Sequence, residues 1–182
     1  MNDIRQHLHS ILGAPGRVAV VGIGNTESGD DGFGVCLVNG LMNRLGVLGD
    51  DGEDARFGGF GGRANCEFIV AGVEPERHSR RLVEGGFDRV LFVDAVACEG
   101  DPGTIVLMDC NELEELRLEV STHRIGLGLL GKYIEEVGGA RVWLLGVKPE
   151  SVKRGTGLSA PVRESLNVLE SLIGEMLEVA RC

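Results

Sequence analysis

Four side chains in this sequence have types and settings that could do chemistry: Asp30, Asp31, Asp94 and His123. The first two belong to Gly22-Ile23-Gly24-Asn25-Thr26-Glu27-Ser28-Gly29-Asp30-Asp31-Gly32-Phe33-Gly34, which follows an apolar run and opens a helical pattern. Ligands of doubly wound proteins bind at such places, beyond the carboxyl ends of strands. A dinucleotide does not fit, because Glu27 stands where the third glycine of G-x-G-x-x-G belongs. Asp30 and Asp31 would also set negative charge where a helix N-terminus should receive a pyrophosphate. Carboxylates near a helix start can cap free N–H groups and favour the macrodipole. One acid suffices for that, so the second is available for another task.

Asp94 directly follows the apolar run 90–93, at the carboxyl end of a second expected strand. An ionised Asp so placed needs a partner. His123 lies in Ser121-Thr122-His123-Arg124, where Ser121 or Thr122 can cap the following helix. The positive end of that helix biases the ring toward neutral imidazole, the form that ligates metal. Two carboxylates and an imidazole with open positions suit a divalent transition ion such as nickel or zinc. Asp31, Asp94 and His123 are the candidate set, with Asp30 as a cap, or as a supporting or base residue.

The elements that must position these groups follow from the apolar pattern. Runs at 18–21, 90–93 and 142–145 are continuously apolar, as in central strands covered on both faces. Weaker strands are expected at 66–70 and 104–108. Too few residues separate the latter from the strand ending at Val93 for a parallel crossover, so it is expected to run antiparallel. Helical spacing places Val35, Val38, Leu41 and Leu45 on one side of 34–45, and Ile125, Leu129, Leu130, Tyr133 and Ile134 on one side of 124–137. The last helix carries Val162, Leu166, Leu169, Ile173, Met176 and Val179, with Ser159 as N-cap and Pro161 in its first turn. The expectation is an α/β fold: a three-layer α/β/α sandwich around a mixed, mostly parallel five-stranded twisted sheet. A single domain over 1–182 is expected. Residues 47–63, acidic and glycine-rich without a period, form a mobile inserted loop in this reading.

Composition narrows the function classes. Hydrophobic residues make up 43 % and charged ones 25 %, the mix of a globular protein. Acidic residues outnumber basic ones 28 to 18, for a formal charge of −10. Such a surface disfavours nucleic acid, whose binding rests on Lys and Arg displacing counterions. No apolar run approaches the ~20 residues of a membrane span, so no membrane insertion is expected. The first residues carry Asp3, Arg5, His7 and His9 and lack the apolar core of a signal peptide, which implies a cytoplasmic protein. His7 and His9 do not share a helix face and read as surface residues. The cysteines, Cys36, Cys66, Cys98, Cys110 and Cys182, form no C-x-x-C pair and signal neither a disulfide framework nor a metal site.

The ordered set of motifs resembles the nickel–iron hydrogenase maturation endopeptidases. It comprises Gly22-x-Gly24-Asn25, Asp30-Asp31-Gly32-x-Gly34, Val93-Asp94-Ala95, Pro102-Gly103-Thr104, Ser121-Thr122-His123 and Leu145-Gly146-Val147-Lys148-Pro149-Glu150. The resemblance implies an endopeptidase that removes a short C-terminal extension from the hydrogenase large-subunit precursor after nickel insertion. It implies that Asp31, Asp94 and His123 contact nickel supplied by the substrate, with other divalent ions able to substitute. Val70-Ala71-Gly72 replaces the Asp-Gly-Gly of many relatives. Glu74-Pro75-Glu76 with Ser121-Thr122-His123 is closer to the formate-hydrogenlyase type.

No G-x-S-x-G, H-E-x-x-H or paired Cys/His signature is present, so no covalent nucleophile is indicated. Two alternatives stand beside this reading. One is a hydrolase with its own permanent metal. The other is a receiver-like signalling switch, in which Asp94 would be the phosphoryl acceptor and Lys148-Pro149 its companion.

Overall fold

The computed structural model describes residues 2–47, 54–57, 65–115 and 124–179. The apolar runs become the strands β1 (Arg17–Ile23), β4 (Arg89–Ala95) and β6 (Arg141–Val147). With them stand β2 (Asp54–Phe57), β3 (Asn65–Gly72) and β5 (Ile105–Asp109). The sheet order is β2-β3-β1-β4-β6-β5. The central four strands are parallel, and β2 and β5 pair antiparallel at the two edges. All five expected strands are present, including the antiparallel return at β5. The sixth, β2, corrects the view of 47–63 as a wholly irregular insertion. Four of its residues extend the sheet by pairing with β3, from Asp54↔Ile69 to Phe57↔Cys66. Most of that insertion, and His123 with Ser121 and Thr122, lie outside the described residues.

Alternation along each strand feeds two cores, which is why the runs are apolar at every position. Val18 and Val20 of β1 face one core with Leu91 and Val93. That layer is built by α1 (Asn2–Leu12), α2 (Phe33–Leu45) and α6 (Ala160–Val179). Ala19, Val21 and Ile23 face the other core with Val90 and Phe92. It is covered by α3 (Ser79–Glu84), α4 (Cys110–Glu115) and α5 (Arg124–Tyr133). Phe33, Phe68 and Phe92 are fully buried, each worth roughly 1.5–3 kcal/mol in apolar area alone.

The buried stripe of α5 differs from the expected one. Leu127, Leu130 and Ile134 enter the core, while Leu129 is 64 % and Tyr133 48 % exposed. Leu127, Leu129 and Leu130 are all apolar, so two helical faces were compatible with the pattern. The choice falls to packing against α4 and β6. A π-helical turn (Ile134–Gly138) follows and ends at Gly139 in the left-handed region, φ 75°.

Away from the strand ends that carry the acids, buried Glu67 joins Arg17 (Nη2 3.3 Å) and Arg81 (Nη2 2.6 Å), fastening β3 to β1 and α3. His7 and His9 are exposed on α1, as expected of surface residues.

The start of α2 is wedged directly between strand ends. A Cβ at Gly34 would lie 2.0 Å from the Val93 carbonyl oxygen and 2.5 Å from that of Ile23, both backbone atoms that cannot yield. Gly34→Ala is therefore expected to cost about 3 kcal/mol, read as a lowered urea midpoint.

Candidate active site

The candidate site lies where β1 and β4 end side by side, with Gly22 in register with Val93. After Ile23 the chain turns at Gly24, φ 117°, whose N–H donates to Gly72 O at the end of β3 (2.8 Å). It returns through a 3₁₀ turn (Gly29–Gly32) before entering α2. Close approach is built in: a Cβ at Gly24 would overlap the Asp31 carbonyl oxygen, at 1.7 Å. Asp31 thus folds back over the end of β1, and Gly34 seats the same segment against Val93, the residue before Asp94.

The two adjacent acids have separate fates. Asp30 is fully buried. Its Oδ2 accepts the N–H of Glu150 (2.8 Å), the N–H of Ser151 (3.0 Å) and the hydroxyl of Ser159 (2.9 Å). Its Oδ1 accepts the N–H of Ser159 at 2.6 Å. Burial pushes this carboxyl up, but the donors from Ser151, Ser159 and Glu150 outweigh it and hold the group below its ordinary value. Asp30 is a structural anchor, buried and held by four donors. Neither acid caps α2, whose N-cap is Gly32 without a side-chain bond. Ser159 does precede α6, and its carbonyl accepts the Arg163 N–H at 2.9 Å. Its hydroxyl, however, donates to Asp30.

Asp31 points elsewhere and is half-buried. Its Oδ2 accepts the Asn25 N–H at 2.8 Å, and among the described residues no other group is seen to donate to the carboxylate. That leaves its Oδ1 without a donor among the described residues. Asp94 is 5 % exposed, and its Oδ1 accepts the following Ala95 N–H at 2.8 Å. It is level with Gly146 of β6. Two carboxylates with restrained rotamers thus share one rim of the sheet, a donor set that suits a divalent cation. Among the described residues no three His, Cys, Asp or Glu side chains cluster as metal ligands, and His123 falls outside them.

The loop 150–159, which holds Asp30 and so frames the site, was missed by sequence reasoning. Its backbone N–H groups carry no side-chain signal. Lys148 Nζ donates to the Gly100 carbonyl at 2.5 Å, so the lysine that a receiver-like switch would require is committed to a turn.

Because the folded Asp30 pKa is depressed, its contribution to stability is present above the unfolded value and lost as pH falls through the folded one. Acid unfolding of the wild type is expected to include this loss below about pH 4. Asp30→Asn turns an amide NH₂ toward N–H donors, and should cost about 3 kcal/mol at neutral pH and flatten that acid limb. Urea melts across pH check both.

Comparison with known proteins assigns the fold. Residues 56–176 match the family model for the hydrogenase maturation protease HycI; Asp94 and His123 lie within that stretch and Asp31 precedes it. Two Methanocaldococcus jannaschii proteins assigned as hydrogenase maturation proteases are similar over nearly their whole length. One is 24 % identical over 164 residues, covering 90 % of this chain and 88 % of its own. The other is 26 % identical over 170 residues, covering 87 % and 96 %. Among solved structures, the NiFe hydrogenase maturation protease HycI of Thermococcus kodakarensis superposes with a TM-score of 0.74 at 28 % identity, covering 94 % of this chain and 99 % of that one. A family match over well over half of its length, on a fold shared from end to end, means that the chain belongs to the hydrogenase maturation proteases and is an endopeptidase.

Proposed function

We propose that this protein removes the C-terminal extension of a nickel–iron hydrogenase large-subunit precursor once nickel has been inserted, and that it recognises the nickel as the substrate holds it. Asp31, Asp94 and His123 are the contacting groups in this reading, and other divalent ions can substitute. The observation that carries it is the pair of restrained carboxylates, Asp31 and Asp94, at adjoining strand ends in a chain of this protease family. Neither acid is drawn into capping α2.

Docking on the ion fixes the scissile peptide beside it, which removes most of the orientational cost of attack by water. The ion, as part of the substrate, polarises the carbonyl or lowers the pKa of a water. Asp30 does not serve as the base, since four hydrogen bonds occupy its carboxylate. The enzyme's own share is to hold two charges at the right separation before the substrate arrives. No helix among the described residues is long and apolar enough to cross a membrane, and we place the reaction in the cytoplasm.

Incubating the protein with nickel-loaded precursor should release a tail that is weighed by mass spectrometry. Asp31→Ala, Asp94→Ala and His123→Ala are each expected to lower kcat/KM about a hundredfold or more. Nickel-free precursor should resist cleavage. Normal processing by all three variants would overturn the residue assignment. Efficient trimming of nickel-free precursor would overturn metal recognition as the trigger.

A further inference from the structure

The outer edge of the sheet at β5 is left open in a way unusual for a strand so apolar. Its residues read Ile105-Val106-Leu107-Met108-Asp109, and among the described residues β5 pairs only with β6. Exposed edges are ordinarily blunted by charge, proline or a covering element, because their unpaired N–H and C=O groups invite another strand. The ladder tells which groups are unpaired. Lys148 N–H donates to the Thr104 carbonyl at 2.8 Å, so Thr104 faces β6. By antiparallel alternation Val106 and Met108 face it too, while Ile105, Leu107 and Asp109 turn their backbone groups outward. The Asp109 N–H is consumed by Glu112 Oε2 at 2.9 Å, which closes one end of the edge. Ile105 and Leu107 remain.

Side-chain space accompanies these backbone groups on both faces. A cavity of about 500 Å³ opens between Ile4, Ile105, Pro161, Val168 and Leu172. A second, of about 900 Å³, is lined by Ala97, Val106, Leu107 and Met108, and again by Ile4. An extended chain alternates its side chains between two faces and would fill one cavity and then the other. The Ile105 end of this edge lies on the same rim of the sheet as Asp94, with β6 between β5 and β4. Ile105 is in register with Val147 and Val147 with Ala95, while Val106 is level with Gly146 and Asp94. Glu164 stands in the wall of the first cavity, Glu99 and Lys148 stand in that of the second, and the chain as a whole carries −10.

We infer that β5 is a strand-addition site for the hydrogenase precursor: an extended segment of the substrate, with apolar side chains at alternate positions and a basic residue nearby, pairs with Ile105 and Leu107. The inference rests on the processing function proposed above. Backbone pairing supplies affinity without demanding a fixed sequence, and the two cavities supply selectivity. A segment paired there runs toward the rim that carries Asp94, from which β5 and β6 separate it.

The test uses amide exchange by NMR on the full chain, alone and with nickel-loaded precursor. The amides of Ile105 and Leu107 are expected to exchange freely in the protein alone and at least about tenfold more slowly in the complex. Leu107→Pro removes one outward N–H while sparing the ladder to β6, as edge positions allow. It should raise KM about tenfold with kcat within about twofold. Should the proline variant fail to fold, the wild-type exchange data decide alone. Protection already present in the protein alone would overturn the inference: independent of concentration, it would mean that the chain covers its own edge, and rising with concentration, that a second copy does. Precursor bound and cut with Ile105 and Leu107 unprotected would overturn strand addition and leave the processing function standing. Precursor neither bound nor cut would overturn both.

Discussion

The buried carboxylate of Asp30 is the tie on which the site depends. Four donors from residues 150–159 converge on it, so the loop after β1 and the approach to α6 become a single rigid piece. A charged acceptor taken from water requires such complete compensation, and here it is met largely by backbone N–H groups. With Asp30 locked inward, its neighbour Asp31 is forced outward. One acid holds the frame and the other keeps an oxygen that no described residue engages.

The glycines finish the positioning. Gly24 allows Asp31 to lie against the end of β1, and Gly34 lets α2 start in contact with both Ile23 and Val93. A side chain at either place would push the acids away from each other. The close approach of backbones thus does what longer side chains could not do without losing rotamer entropy on every substrate encounter.

Much of this was legible in the residues. Continuous valine-rich runs foretold buried parallel strands, and the short spacing before β5 foretold its reversal. The placement of Asp94 at the end of β4, and of Asp31 in the loop after β1, also followed from the pattern. What could not be read depends on contacts distant in the chain. The four bonds to Asp30 join residues that share no motif, and the diversion of the Ser159 hydroxyl from capping to that carboxylate is invisible locally. The pairing of Asp54–Phe57 with β3 was hidden because a short polar edge strand has almost no periodic signal. In α5, an excess of leucines left the buried face undecided until the packing chose it.

The span of the Asp30 contacts has a bearing on synthesis. Asp30 emerges from the ribosome early, but its partners, Glu150 to Ser159, come 120 to 129 residues later. Loops of that length close slowly and only after the intervening strands have paired. The segment between β1 and α2 therefore stays unanchored on a nascent chain, and a truncated translation product that ends before Glu150 lacks every donor to Asp30. The loop that carries Asp31 thus takes its final form only once residues 150–159 have been made.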